Sequence, residues 1–238
     1  MKHIHVVVAG LFIVAGTAST ASAQGRGRGR DEHPDNHGRA VSQAEQQRRI
    51  TEEQQRQREY QSRLQAQVNA AQARQAQLQA AHQAAQAAAQ QRYLDALRRQ
   101  EEQARAQRDL AHDAYITAPM TYRYRLNGAY HETNQYGADV LRQAVNNGYA
   151  QGYQEGEADR ADGLRADYRR SFAYSDANYG YTGAYVPESD YNYYFRQGFQ
   201  RGYDDGYARQ SRYGTYVNGT GSVLGNILNS ILGLSTIH

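Results

Sequence analysis

Three glycines spaced four apart, Gly148, Gly152 and Gly156, recur fifty positions later as Gly198, Gly202 and Gly206. Their neighbours repeat with them: Tyr149 with Phe199, Tyr153 with Tyr203, Glu155 with Asp205, Ala158 with Ala208, and upstream Leu141 and Val145 with Tyr191 and Phe195. A spacing of four places each trio along one helical face, and the bulky upstream pair of each copy falls on that same face. Each copy therefore predicts a helix with a bulky first half and a notched second half. Glycine inside a helix costs about 1 kcal/mol relative to alanine, so close tertiary contact must offset about 5 to 6 kcal/mol over the six positions. An antiparallel pair suits the gradient: Tyr191 and Phe195 enter the groove over Gly152 and Gly156, while Leu141 and Val145 fill the groove over Gly202 and Gly206. A parallel pair sets notch against notch and packs well only where the backbones approach very closely.

The glycine helices sit in a region, 117–238, that opens at Ala118-Pro119 and holds 18 of the 21 tyrosines. At its front, Asn127-Gly128 separates two alternating segments, which predicts a two-residue type I′ hairpin pairing Leu126 with Ala129 and Arg123 with Glu132. Two short strands are marginal alone and need the next helix to lean on. Between the glycine helices, residues 161–188 carry Tyr168, Tyr174, Tyr179, Tyr181 and Tyr185 among Gly, Asp and Ser. Those rings either stack on sugars or a partner protein, or fold back as cover for the helix pair. Asn218-Gly219-Thr220 reads as a glycosylation sequon where the source glycosylates. Residues 223–234 are two-faced, with Leu224, Ile227, Leu228, Ile231 and Leu232 on the apolar half. At about 18 Å this helix is too short to span a bilayer, so it docks on the module, on a second copy, or on a membrane or partner surface.

Residues 41–116 are rich in Gln, Ala, Arg and Glu, without Pro or Gly, and Ser42 with Glu45 forms a capping box at the start. One long polar helix is expected, a spacer, tether or oligomerising stalk. Its apolar positions are too sparse for a strict heptad, so any coiled coil is weak, and a solitary or partly disordered helix is the alternative.

Residues 1–23 have a basic start, an apolar stretch from Ile4 to Gly16 and a small-residue end, Ala21-Ser22-Ala23, the pattern of a secretory signal peptide cleaved after Ala23. The expected product is exported to the periplasm or beyond. Cleavage removes the single lysine and leaves 26 Arg against 24 acids, so the sequence pI near 9 is a poor argument for nucleic acid. Residues 24–40, an Arg/Gly leader, have almost nothing to bury and are expected to be disordered.

With no Cys, a disulfide scaffold, a thiolate metal site and a cysteine nucleophile are excluded, and the mean hydropathy of −0.91 excludes a polytopic membrane protein. His131-Glu132-Thr133-Asn134-Gln135 lacks the second histidine of a zincin helix. Glu155, Glu157, Asp159 and Asp162, with Arg160 and Arg165, read as a solvated charge network. No catalytic residue, metal site or cofactor is expected.

The stretches Asn146-Asn147-Gly148-Tyr149 to Asp159-Arg160 and Phe195-Arg196-Gln197-Gly198-Phe199 to Gly206-Tyr207 resemble exported bacterial glycine-zipper-like envelope proteins of unassigned function, over roughly residues 120–238. The resemblance implies an envelope setting and no chemistry. The expected fold is mainly α: a disordered leader, a long polar helix, then a module with a short β-hairpin, an antiparallel glycine-notched helical hairpin and a C-terminal amphipathic helix. The expected function is a non-catalytic envelope structural or interaction protein, engaging a protein partner or itself. A tyrosine-rich carbohydrate-binding module and a peripheral membrane protein held by the C-terminal helix are the alternatives.

Overall fold

The computed structural model describes residues 41–237, so the expected signal peptide over 1–23 and leader over 24–40 lie outside the described residues. The described residues are mostly helical and begin with a long helix, α1 (Gln43–Ala80), whose first turn is capped by Ser42 Oγ accepting from the Glu45 amide at 3.3 Å.

The Gln/Ala-rich segment is broken rather than continuous to residue 116. After Ala80 the chain reverses: His82 takes a left-handed backbone (φ 55°), and the Gln83 amide returns to the Leu78 carbonyl at 3.1 Å. Histidine is among the few non-glycine residues that enter this region readily, so a helix stop forms without glycine or proline. α2 (Ala84–Ala104) then runs back antiparallel along α1, with Gln90 donating to the Ala71 carbonyl (3.1 Å) and Gln57 to the Ala106 carbonyl (3.2 Å). The buried stripe of α1 is Tyr60, Leu64, Val68, Ala71, Gln75 and Leu78, steps of three and four in which a glutamine fills an interior position.

A short α3 (Ala114–Thr117) leads into the expected hairpin, β1 (Tyr122–Leu126) and β2 (Ala129–Thr133), with Leu126 opposite Ala129 and Arg123 opposite Glu132. Asn127 and Gly128 both take positive φ, 50° and 86°, as the turn demands. α4 (Gln135–Ala161) follows at once, its start capped by Asn134 Oδ1 accepting from the Gly137 amide. Residues 162–187, which include a 3₁₀ turn at Tyr168–Arg170 and α5 (Phe172–Asp176), cross to α6 (Glu188–Ala208).

The glycine helices α4 and α6 lie side by side as expected but run parallel, which overturns the antiparallel arrangement. Gly148 faces the backbone of Phe195 and Phe199, Gly152 that of Phe199 and Tyr203, and Gly156 that of Tyr203 and Tyr207. Reciprocally, Gly198 meets Val145, Gly202 meets Tyr149 and Gly206 meets Tyr153. The matched positions advance together along both helices, a pseudo-two-fold pair built from the duplication. Notch on notch succeeds because the main chains touch: a methyl at any of the six glycines would overlap a carbonyl of the other helix. Cα–H···O contacts and dispersion replace side-chain interdigitation at such an approach. The bulky positions Leu141, Val145, Tyr191 and Phe195 share one end of the pair, fully buried, and do not fill the partner's glycine grooves.

Around this pair the other described elements form a sheath. Tyr60, Leu64, Val68, Tyr93, Leu94 and Leu97 of α1 and α2 share one hydrophobic cluster with Leu141, Val145, Tyr191 and Phe195. The change in composition near residue 117 is therefore no break in packing. The crossover rings act as cover: Tyr181 is buried on Tyr191 (centroids 5.0 Å), and Tyr174 and Tyr168 sit on Phe199 and Tyr203 (5.6 and 6.2 Å). A second hairpin, β3 (Gly214–Val217) and β4 (Thr220–Val223), turns at Asn218-Gly219 (φ 50° and 84°), so the sequon is also a turn. It lies on Tyr149 and Ala150 of α4, where Gly214 and Gly221 admit the ring and the helix backbone. α7 (Gly225–Leu232) and β5 (Ser235–Thr236) close the fold, β5 adding to β1 in a sheet ordered β2-β1-β5.

Candidate functional site

The six glycines and their bulky companions meet in the interior, where they hold the fold and face no solvent. The apolar face of α7 is mostly spent inside the molecule. Leu232 is fully buried, with Tyr194 Oη donating to the Arg125 carbonyl (2.6 Å) beside it, and Ile227, Leu228 and Ile231 pack half-buried against the core. Leu224 alone of the five expected contact residues is largely exposed, at 44%. No helix among the described residues is long and apolar enough to cross a membrane. Tyr181 is buried, and the half-buried Tyr174 ring is packed by Phe199, Tyr168 and the Arg196 guanidinium, so neither presents a free face to a sugar.

Of the acidic run expected to be a solvated network, Glu157 is exposed and Asp162 half-buried, but Glu155 and Asp159 are buried. Glu155 is 4% and Asp159 6% exposed, one turn apart, facing the start of α2. Gln86 Nε2 donates to Asp159 Oδ1 (2.8 Å) and to the Glu155 carbonyl (3.2 Å), and Tyr203 donates its hydroxyl to Asp159 Oδ2. Burial, then the Asp159 charge, pushes the Glu155 carboxyl up to about 7, against smaller opposing effects from Ser171, Gln86 and Arg74. Burial raises Asp159 as well. The two acids floor a cleft of 340 Å³ edged by Arg74, Gln77, Leu164 and Arg170. Among the described residues no group of three or more His, Cys, Asp or Glu can hold a metal ion. His131 stands exposed on strand β2, stacked on Tyr124.

A second groove, 490 Å³, lies between α2, α4 and the β3–β4 hairpin. α2 contributes Arg92, Asp95 and Arg99 at helical spacing, α4 contributes Gln151 and Gln154, and Tyr179 and Tyr216 form aromatic walls. Tyr216 stacks on Tyr153 with centroids 4.7 Å apart and planes at 20°. Arg92 Nε donates to Gln154 Oε1 at 2.7 Å, which fixes both side chains across the groove. Gln151 is 5% exposed, yet its amide has no hydrogen-bond partner among the described residues. The Arg99 guanidinium and the hydroxyls of Tyr179 and Tyr216 likewise engage no described residue in a hydrogen bond or ion pair. Among the described residues the buried side-chain atoms left without a hydrogen-bond partner are Gln67 Oε1 and Gln75 Oε1, whereas the Gln151 amide is open to the groove that it lines.

Sequence reasoning looked for this chemistry in the tyrosines of the crossover and missed the groove. The signal that points to it is the second Asn-Gly turn, which brings Tyr216 onto α4. Comparison of the chain with protein-family models, curated proteins and solved structures gave no match.

Proposed function

We propose that this chain is an exported, non-catalytic envelope protein that works as a rigid interaction body rather than as a tether. Export is supported by the basic, apolar and small-residue succession over residues 1–23. The interaction role is carried by one observation: a groove lined by Tyr179, Tyr216, Arg92 and Arg99 presents the Gln151 amide and the Arg99 guanidinium, which no described residue engages in a hydrogen bond or ion pair. The tether loses support because Tyr60, Tyr93 and Leu97 of the N-terminal helices share the core of the glycine pair, which leaves no exposed stalk between residues 43 and 104. The carboxylate cleft at Glu155 is read as an anchor for α2, since its polar groups are joined to Gln86 and Tyr203 within the fold. Expression with the native leader in a Gram-negative host, fractionation and intact mass test the proposal. A periplasmic or extracellular species beginning at Gln24 is expected; a cytoplasmic protein that retains residues 1–23 would sink it.

A further inference from the structure

We infer that the groove between α2, α4 and the β3–β4 hairpin is a binding site for a saccharide chain bearing carboxylates. Its setting among glycans rests on the export reading above; its chemistry does not. Sugars offer a C–H face and a rim of hydroxyls. Aromatic walls take the face, while planar amides and guanidinium groups take the rim. Here Tyr216 is braced by its stack on Tyr153, and Tyr179, packed on Tyr93, also lines the groove. The residues that line it carry polar groups of the kind that fix hydroxyls: the Gln151 amide, the Gln154 amide braced by Arg92, and the phenols of Tyr179 and Tyr216.

The charge balance selects the acidic form. Asp95 is already engaged by Gln91 (2.8 Å) and Arg98 (3.6 Å), whereas Arg99 is unpaired among the described residues and Arg92 holds only a neutral amide. Two guanidinium groups on one wall suit carboxylates spaced along a polymer, because arginine offers a planar fork matched to that group. The groove is open at Gly219, where a side-chain atom would meet nothing within 4 Å, so a chain can pass out over the hairpin turn.

The test uses the mature protein, residues 24–238, with oligogalacturonate as the acidic probe and a cello-oligosaccharide of equal length as the neutral one, by titration calorimetry. Oligogalacturonate should bind at micromolar to millimolar Kd and weaken with added salt, and Arg99→Ala, on an exposed helix face, should weaken it about tenfold. Gln151→Met should also weaken it while leaving the melting temperature level or higher, because it removes an amide the fold does not use. Equal binding of both probes, or acidic binding unmoved by Arg99→Ala and Gln151→Met, overturns the assignment. So does failure of both probes to bind up to about 10 mM. Failure of the groove with a correctly exported protein leaves the export reading intact, and binding by a protein retained in the cytoplasm removes that reading alone.

Discussion

Tyr149 donates its hydroxyl to Asp205 Oδ2 at 2.8 Å across the glycine interface, and the positions related to them by the duplication are Phe199 and Glu155, where no hydroxyl exists to make the bond. The two halves of one repeat have thus been put to different uses. Asp205 is sealed, taking further bonds from the amides of Arg212 (3.0 Å) and Tyr213 (2.9 Å), which tie the second hairpin to the end of α6. Tyr149→Phe removes one donor from a carboxylate 1% exposed and is expected to cost about 1 to 3 kcal/mol in urea unfolding. No change in stability would mean that the amides alone satisfy Asp205.

Glu155 received no tyrosine and carries a titration instead. Its carboxyl ionises near 7 in the folded chain and near 4.5 once exposed. A pKa raised by folding means that the folded state holds the proton more tightly. The associated stability is fully present below about 4.5 and is lost as pH rises through about 7, to the extent of about 3 kcal/mol. Asp159, raised by burial, adds in the same direction. Urea unfolding of the wild type should therefore give a lower stability at about pH 8 than at about pH 5, and Glu155→Gln should flatten that difference. An identical pH profile in the variant would show that Glu155 is already ionised in the fold.

The glycine pair makes a sharper demand. Gly152→Ala and Gly202→Ala each place a methyl against a carbonyl of the neighbouring helix, so the gain in helix propensity of about 1 kcal/mol is overwhelmed and a net loss of about 3 kcal/mol or more is expected. Gly225, first in α7 with nothing within 4 Å of an added Cβ, serves as the control: Gly225→Ala should be neutral or stabilising. Thermal unfolding that treats all three alike would refute backbone contact in the pair.

Helix direction is the part of the fold that the residues hid. A wheel drawn for Leu141, Val145 and the glycines is the same whichever way the second helix runs, so the gradient from bulk to notch was a weak guide. The informative feature was the length of the connection. An antiparallel hairpin needs only a few residues, whereas 162–187 is long enough to travel back along α4 and begin again at the same end. The Asn127-Gly128 hairpin was legible because its turn chemistry is local. The reversal at His82 was not, having neither glycine nor proline, and the inward glutamines Gln75, Gln90 and Gln100 disguised the buried seam of α1 and α2 as a solvated surface. Direction can be measured with spin labels on cysteines introduced at exposed sites, since the native chain has none. A Glu157–Ala208 pair should be close and a Gln143–Ala208 pair offset by about 20 Å along the helix axis, hence clearly longer; the reverse order would restore the antiparallel arrangement.

The α2 helix depends on α4 for its beginning. Gln83, at its N-cap, makes no side-chain cap bond, and the free amides of Ala85 and Gln86 are instead taken by Asp162, at 3.0 Å to Oδ1 and 2.8 Å to Oδ2. A carboxylate at a helix N-terminus satisfies orphan donors and meets the positive end of the dipole, a contribution of about 1 to 2 kcal/mol. Because Asp162 is itself the C-cap of α4, the same residue joins the end of one helix to the start of another, 77 positions apart from Ala85 in the chain. Asp162→Ala is therefore expected to raise hydrogen exchange at Ala85 and Gln86 while leaving the amides of Gly152 and Gly156 protected. The cleft over Glu155 borders on this junction through Gln83 and Gln86, so fraying there should also admit water to the buried acids and lower the pH at which Glu155 loses its proton. Unchanged exchange at Ala85 in the variant would show that packing along α1, and not the borrowed cap, holds the helix start in place.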